Sequence, residues 1–335
     1  MPAPTHRPLE LSVSIQPWEL LTPFRITGYT WTSIDLLFVS LAAGGHAGRS
    51  EAAGVYYKAD TVASMMRTIE SLRGRIEQGI SRAELQTLLP AGGARNALDC
   101  ALWDLEAKLT QRPSWQLAGL QEPRPLLTTF TCGADDPEKM ATTACSYRGA
   151  RAIKLKLTGD PIDAERVRAV RGAMPDVWLG VDANQGFSRA SLEKLMPTLL
   201  AAKVALIEQP FPVGQEAQLD GLAAPIPIAA DESVQDASDI PHLAGRFNVV
   251  NIKLDKCGGL TQALEMVQLA QAHGLDTMVG NMMGTSLAMA PAFLVGQLCK
   301  VVDLDGPVFL KADRDNPVEY RDGRILCPEA LWGAG

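Results

Sequence analysis

Five short apolar runs in the middle of the chain end on charged residues. Lys156 follows Ile153-Lys154-Leu155, Asp182 follows Gly180-Val181, Glu208 follows Leu206-Ile207, Asp231 follows Ala229-Ala230 and Lys253 follows Asn251-Ile252. These charged ends lie 26, 26, 23 and 22 residues apart, the length of one strand plus one helix. In a (β/α) barrel the carboxyl ends of the strands gather on one face, so three carboxylates would meet there between two lysines. Asp182, Glu208 and Asp231 offer only oxygen donors, which suit a hard divalent cation such as Mg²⁺. Taken singly, each is more readily a helix cap or an ion-pair partner. Three in register favour a cation, because unneutralised carboxylates at one point repel one another.

Lys156 and Lys253 sit on the strands that flank the three ligands. Burial and a nearby cation both lower an amine's pKa, so either lysine could accept a proton. Two such amines on opposite sides of one bound molecule permit removal from one face and delivery to the other, which inverts a stereocentre. The proton concerned would lie α to a carboxylate, a weak carbon acid. A cation on both carboxylate oxygens would stabilise the enediolate as charge develops. Lys154 shares the face of Lys156 by strand alternation. It would either add positive charge beside the substrate carboxylate or pair with one of the metal-ligand carboxylates.

The elements that must hold these groups follow from the same periodicity. The chain reads as α/β: a (β/α)7β TIM-like barrel with an N-terminal α+β capping domain. Residues 1–122 are expected to form the cap, 123–312 the barrel, and 313–335 a tail returning to the cap, with the connector at Gln121-Glu122-Pro123-Arg124-Pro125 stiffened by its prolines. In the cap, Ile34 to Leu41 and His46 to Glu51 predict a hairpin around Gly44-Gly45. Asp60 is expected to cap a helix through Met65 and Ile69. Ser81 with Glu84 forms a capping box, and Ala94 to Leu109 has helical apolar spacing. Leu126 to Thr131 is the expected first barrel strand, and Asp136-Pro137, Asp160-Pro161 and Ser188 open helices. Two segments, Trp18 to Trp31 and Gly54 to Lys58, read as loops that are aromatic where loops are usually polar. They either seal the cap on the barrel or close over the site.

At 335 residues the chain exceeds one ordinary domain, and 47% hydrophobic with 21% charged residues is the make-up of a soluble globular protein. A net charge of −7 leaves no basic stripe for nucleic acid and no polybasic tail for anionic lipid. No apolar run approaches a membrane span, and Met1 to Glu10 has no apolar core for a signal peptide. The six scattered cysteines read as reduced thiols, so a cytoplasmic location is expected. The expected partner is a small molecule, with no nucleic acid, no membrane and a possible homo-oligomer. None of His6, His46, His242 and His273 falls on a strand end, which argues against a histidine base.

With these residues in place, the chain resembles the muconate-lactonizing subgroup of the enolase superfamily, most closely its dipeptide epimerases of the L-Ala-D/L-Glu epimerase kind. The resemblance runs from about Ser81 to Leu310. It includes Ala94-Arg95-Asn96-Ala97-Leu98-Asp99, Lys154-x-Lys156, the ligands Asp182, Glu208 and Asp231, Asn251-Ile252-Lys253-Leu254-Asp255-Lys256, and Asp303-Leu304-Asp305-Gly306-Pro307. It implies Lys156 and Lys253 as the acid/base pair, one Mg²⁺ per subunit on the three carboxylates, and Asp303 and Asp305 as a clamp for a dipeptide's α-ammonium. Glu-specific members would have an arginine a few residues after Pro23-Phe24, where this sequence has Ile26-Thr27-Gly28. That leaves Arg25, Tyr57 and Lys58 as candidate side-chain contacts and opens the site to an apolar or aromatic residue. The resemblance equally accommodates an N-acylamino acid racemase, an o-succinylbenzoate synthase or a cycloisomerase. The residues alone also admit a Schiff-base aldolase using Lys253, or a non-catalytic binding barrel.

Overall fold

The structure is a computed structural model that describes residues 7–222 and 224–335. His6 and most of the stretch read for a signal peptide lie outside the described residues. The cap begins with an antiparallel sheet of β1 (Glu10–Ile26), β2 (Tyr29–Ala43) and β3 (His46–Ala52), in that spatial order. Gly44 and Gly45 both take positive φ, 58° and 79°, which is what the tight β2–β3 turn requires. The Trp18–Trp31 segment is a hairpin rather than a loop: Trp18 pairs with Ile34 and Phe24 with Trp31, around a tip at Thr27-Gly28. Alternating aromatic and β-branched residues favour a pleated surface, and that preference overrides the turn-like reading of the segment.

Four helices follow, α1 (Val62–Ser71), α2 (Arg73–Glu77), α3 (Arg82–Leu88) and α4 (Gly93–Thr110). Thr61, one residue beyond the expected Asp60, caps α1 by accepting from the Ser64 N–H at 3.2 Å. Asp60 instead accepts from Gly93 N–H at 2.8 Å, at the start of α4. The Ser81–Glu84 capping box forms at α3. One face of α4 supplies Ala97, Leu98, Ala101 and Leu105 to the cap core beneath β2. Its other face binds the barrel. Arg95 donates to the Cys257 carbonyl at 2.6 Å, and Asp99 accepts from the Thr261 hydroxyl at 2.6 Å and its N–H at 2.9 Å.

After a short α5 (Ser114–Leu117), the chain passes through β4 (Leu126–Leu127) into the barrel. The barrel runs β5 (Phe130–Cys132), α6 (Pro137–Ser146), β6 (Ala152–Lys156), α7 (Asp163–Ala173), β7 (Trp178–Asp182), α8 (Arg189–Ala201) and β8 (Val204–Glu208). It continues with β9 (Ile228–Ala230), α9 (Ile240–Leu243), β10 (Val249–Ile252), α10 (Leu254–Cys257), α11 (Leu260–Ala272), β11 (Asp276–Val279), α12 (Ser286–Gly296) and β12 (Val301–Val302). The eight strands from β5 to β12 pair in sequence order, all parallel, as a (β/α)7β barrel requires. Between β8 and β9 the described residues of the connection carry a 3₁₀ turn, Glu216–Leu219, and no α-helix.

The expected first strand, Leu126 to Thr131, is divided. Leu126–Leu127 pairs with the tail strand β14 (Arg324–Leu326), which itself forms a hairpin with β13 (Glu319–Arg321). The residues between the two pieces close the ring. Thr129 N–H donates to the Val302 carbonyl at 3.0 Å, and the Thr128 hydroxyl accepts from Leu304 N–H at 3.0 Å. The helix expected at Asp160-Pro161 starts later, at Asp163, whose carboxylate accepts from Gly159 N–H at 2.8 Å.

Two-residue alternation sorts the barrel interior into layers. At the amino ends, Leu206, Ala229, Val249 and Met278 pack together as an apolar plug, with Trp178 and Val301 against it. Two residues further along, the same inward faces carry Glu208, Asp231, Asn251 and Asp303. The residues between them, such as Val181, Ile207 and Val250, point outward into the larger core shared with the helices. The plug is thus a dry floor beneath a charged layer. The tail touches both parts: Gly333 N–H donates to Asp104 of the cap at 2.7 Å, Trp332 Nε1 to the Cys100 carbonyl at 3.3 Å and Arg49 to the Leu331 carbonyl at 2.9 Å, while the Tyr320 hydroxyl donates to the Leu304 carbonyl of the barrel at 2.7 Å.

Candidate active site

The strand register aligns the charged ends in one row. Lys156 pairs with Asp182 across β6 and β7, and Asp182 with Glu208 across β7 and β8. Asp231 follows β9 directly, and one donor oxygen from each of Asp182, Glu208 and Asp231 lies within 4.8 Å of the others. All three are buried. Around them stand buried oxygens with no hydrogen-bond partner, Asn184 Oδ1, Glu232 Oε2 and Asn251 Oδ1. Buried acceptors without donors are costly, and here they surround an all-oxygen donor set. The group fits a hard divalent cation on both counts.

The two lysines bracket this row. Lys156 Nζ donates to Asp182 at 2.5 Å and Lys253 Nζ to Asp231 at 2.6 Å, so they hold the first and last carboxylates from opposite flanks. Gly280 on the neighbouring strand end leaves room for one of them: a Cβ there would come within 3.0 Å of Lys253 Cε and 2.6 Å of Asn251 Oδ1. Lys154 donates to Asp303 and lies 3.4 Å from Glu208 and 3.7 Å from Asp182. It therefore takes the ion-pairing role of the two open to it, with Asp303 as an additional partner.

The electrostatics correct one expectation. Burial works against charge on Lys253, as expected, but the Asp231 and Glu208 carboxylates outweigh it and hold its pKa well above the usual range. Lys154 behaves likewise, with Asp303 and Glu208 outweighing burial. A lysine among carboxylates stays protonated until another cation shares their charge. Burial and the neighbouring Asp182 push Glu208 up to about 8, and burial with Asp231 pushes Glu232 up to about 7. Asp231 goes the other way: burial is overcome by Lys253 and Lys256, which hold it well below the carboxylate range.

Asp303 and Asp305 follow β12, four strands from β8 and so across the barrel from the middle ligand. Asp303 accepts from the Thr129 hydroxyl and from Lys154. Asp305 accepts from Thr131 N–H at 2.6 Å, and burial with the adjacent Asp303 charge pushes it up to about 6. Both line one cavity of about 230 Å³ with Lys154, Lys156 and Lys253, a space for a small molecule and not for a folded chain.

The roof of the cavity comes from the cap. Six rings run across it in contact: Phe309 to Phe24 at 4.7 Å between centroids, Phe24 to Trp31 at 6.4 Å, Trp31 to Tyr29 at 5.5 Å and to Tyr56 at 5.2 Å, and Tyr56 to Tyr57 at 5.0 Å. Tyr57 ends the series by accepting from Gln235 at 3.1 Å, so it ties the turn to the barrel rather than lining the cavity. Arg25 is exposed between Phe24 and Ile26, which both line the cavity, and its charge acts on Asp135 outside it. Lys58 is exposed and lines a separate hollow with Asp60 and Asp236.

Sequence reasoning missed several groups at the site. Asn251, two residues before Lys253 on the same strand face, donates to Glu208 at 2.8 Å, and period two alone points to it. Lys256 donates to the Asp231 side chain and carbonyl, both at 2.6 Å, from a helical turn that carries no periodic signal. Gln209, at φ 35°, accepts from the N–H groups of Asp231 and Ser233 at 2.9 and 3.1 Å; such backbone strain is invisible in sequence.

Residues 138–335 match the family model described as Enolase C-terminal domain-like, and residues 9–119 match that of the mandelate racemase / muconate lactonizing enzyme N-terminal domain. The chain is 38% identical over 310 residues to the L-Ala-D/L-Glu epimerase of Escherichia coli (strain K12), covering 92% of this chain and 96% of that one. It is 43% identical over 252 residues to the N-acetyl-D-glutamate racemase of a Pseudoalteromonas species, covering 75% and 79%. Among solved structures, it superposes with a TM-score of 0.94 at 38% identity on an enolase family member from Agrobacterium tumefaciens with homology to dipeptide epimerases, over 97% of this chain and all of that one. A dipeptide epimerase from Methylococcus capsulatus complexed with Mg and L-Arg-D-Lys superposes at 0.90 and 30% identity, over 96% and 97%. The two family models match the cap and most of the barrel, and the relatives cover nearly the whole chain: it belongs to the mandelate racemase/muconate lactonizing enzyme family of the enolase superfamily.

Proposed function

We propose that this protein is an Mg²⁺-dependent dipeptide epimerase, an isomerase that inverts the α-carbon of the C-terminal residue of its substrate. The observation that carries this reading is the bracket of lysines: Lys156 and Lys253 hold the two outer members of a three-carboxylate row from opposite flanks. A carbon acid bound between them has one amine for each face. In this reading 1–122 and the tail 313–335 cover the site, while 123–312 does the chemistry.

Asp182, Glu208 and Asp231 would hold Mg²⁺, which when bound takes the substrate carboxylate and stabilises the charge of the enediolate. The chain's own groups do the rest. Lys156 or Lys253, freed from its aspartate, takes the α-proton from its side, and the ammonium on the other side returns one. Lys154 keeps Asp303 and Glu208 in place, and its fixed charge favours an anion nearby. Asp303 and Asp305 face the opposite end of the cavity, where an α-ammonium would complete their charge. The aromatic roof excludes water, so a proton removed from one face is not lost to solvent.

A second reading, an N-acylamino acid racemase, is favoured by one contact. Lys154 already engages Asp303, so half of the clamp is satisfied without a ligand ammonium. Proton exchange in D₂O decides between them. The first reading expects Mg²⁺-dependent exchange with L-Ala dipeptides and little with N-acetyl amino acids; the reverse preference would install the second, and activity untouched by exhaustive chelation would remove both.

A further inference from the structure

The floor of the cavity leaves only one place for the substrate's side chain. The cavity's three lysines, Asp303 and Asp305 come from the barrel's strand ends, as do the three carboxylates that would hold the cation, so a ligand held by its carboxylate and ammonium has both ends on that floor. The side chain on the inverted carbon must then turn to the cap. The cap-side wall is Phe24, Ile26, Trp31 and Tyr56, joined by Phe309, and among the described residues it carries no cation. The cavity's three lysines each donate to a carboxylate. Arg25 and Lys58, which could have received an acidic group, lie outside the cavity. The cap's one charge on the cavity is Asp35, a carboxylate exposed on β2 with no ion-pair partner among the described residues.

From this wall we infer that the enzyme selects a bulky apolar or aromatic side chain at the epimerised position and discriminates against glutamate. An acidic side chain would lose its hydration against rings and meet the Asp35 charge with nothing to compensate it. An apolar one buries its surface on Phe24, Trp31 and Tyr56. The inference deepens the epimerase reading and rests on it. It also runs against the glutamyl substrates named for the relatives in Escherichia coli and Pseudoalteromonas.

The test compares kcat/KM for L-Ala-L-Phe, L-Ala-L-Leu, L-Ala-L-Glu and L-Ala-L-Lys with the Mg²⁺-loaded enzyme. The two apolar substrates are expected to exceed the glutamyl one at least tenfold. Trp31→Ala is expected to raise KM for L-Ala-L-Phe with a smaller change in kcat, and Asp35→Asn, an exposed position that tolerates change, to raise kcat/KM for L-Ala-L-Glu several-fold. A glutamyl or lysyl dipeptide turned over as fast as the apolar ones would overturn the inference and leave the epimerase reading standing. Absence of exchange with all four would bring down that reading and this inference with it.

Discussion

Asp255 reaches from the barrel turn beyond Lys253 to the cap, where its Oδ1 accepts from Gly54 N–H at 3.0 Å and from Ala53 N–H at 2.9 Å. Those two residues line the cavity just before the turn that carries Tyr56. One carboxylate thus fixes the roof relative to a lysine two positions upstream. Asp255→Ala is expected to leave two donors unpaired, loosen the Tyr56 turn, and raise KM about tenfold with kcat less affected. Steady-state kinetics reads the split; unchanged KM would mean that the roof holds itself in place.

The same carboxyl makes stability depend on pH. Burial pushes Asp255 up to about 7 from an ordinary value of 3.8. Between those values the folded state binds the proton more tightly than the unfolded one, so this group's contribution is full below about pH 4 and is lost as pH rises toward 7. Asp255→Asn keeps an acceptor and removes the titration. Its unfolding free energy from urea titration is expected to match the parent at low pH and to exceed it at pH 8, by on the order of 1–3 kcal/mol. Parallel pH curves for the two proteins would contradict this.

Glu51 is buried at the cap–barrel seam, where Thr285 N–H and hydroxyl donate to it at 2.7 Å and Arg314 at 2.6 Å. Arg314 also lies over the Trp18 ring at 4.8 Å. Arg314→Ala is expected to cost roughly 3 kcal/mol, because it strands a buried charge, and a double change with Glu51→Gln should recover part of it. Denaturant unfolding of the single and double variants measures the coupling; strict additivity would show that the ion pair is not the cause.

The chemistry was legible in sequence and the architecture mostly so, for one physical reason. Burial on both faces makes parallel strands apolar throughout, so the charged terminal residues Lys156, Asp182, Glu208, Asp231 and Lys253 stand out at a fixed period. The seams were less legible. Nothing local marks Leu126–Leu127 as the partner of Arg324–Leu326, since the pairing joins residues some two hundred apart. The hairpin over Trp18–Trp31 was hidden by its polar and glycine content. The positions of Arg25 and Lys58 turned on strand alternation within that hairpin and on which hollow the turn faces, neither of which the sequence displays.

Loss of one ligand should separate metal binding from folding. Glu208→Gln is expected to lower activity at least a hundredfold and to weaken Mg²⁺ binding, while thermal unfolding in the absence of metal changes little or rises. The increase would come from no longer burying an ionisable carboxyl beside Asp182, since burial and that neighbouring charge together push Glu208 up to about 8. Calorimetric titration with Mg²⁺ and thermal scans of the same preparations give both readouts. Undiminished Mg²⁺ affinity would exclude Glu208 as a ligand.

The most direct test of two opposed lysines is α-proton exchange of each separate epimer in D₂O with Lys156→Ala and Lys253→Ala. Neither variant should interconvert the epimers. One should still exchange the proton of one epimer, and the other variant that of its mirror partner, because each retains the amine on a single flank. Exchange of the same epimer by both variants, or of both epimers by either one, would contradict the account.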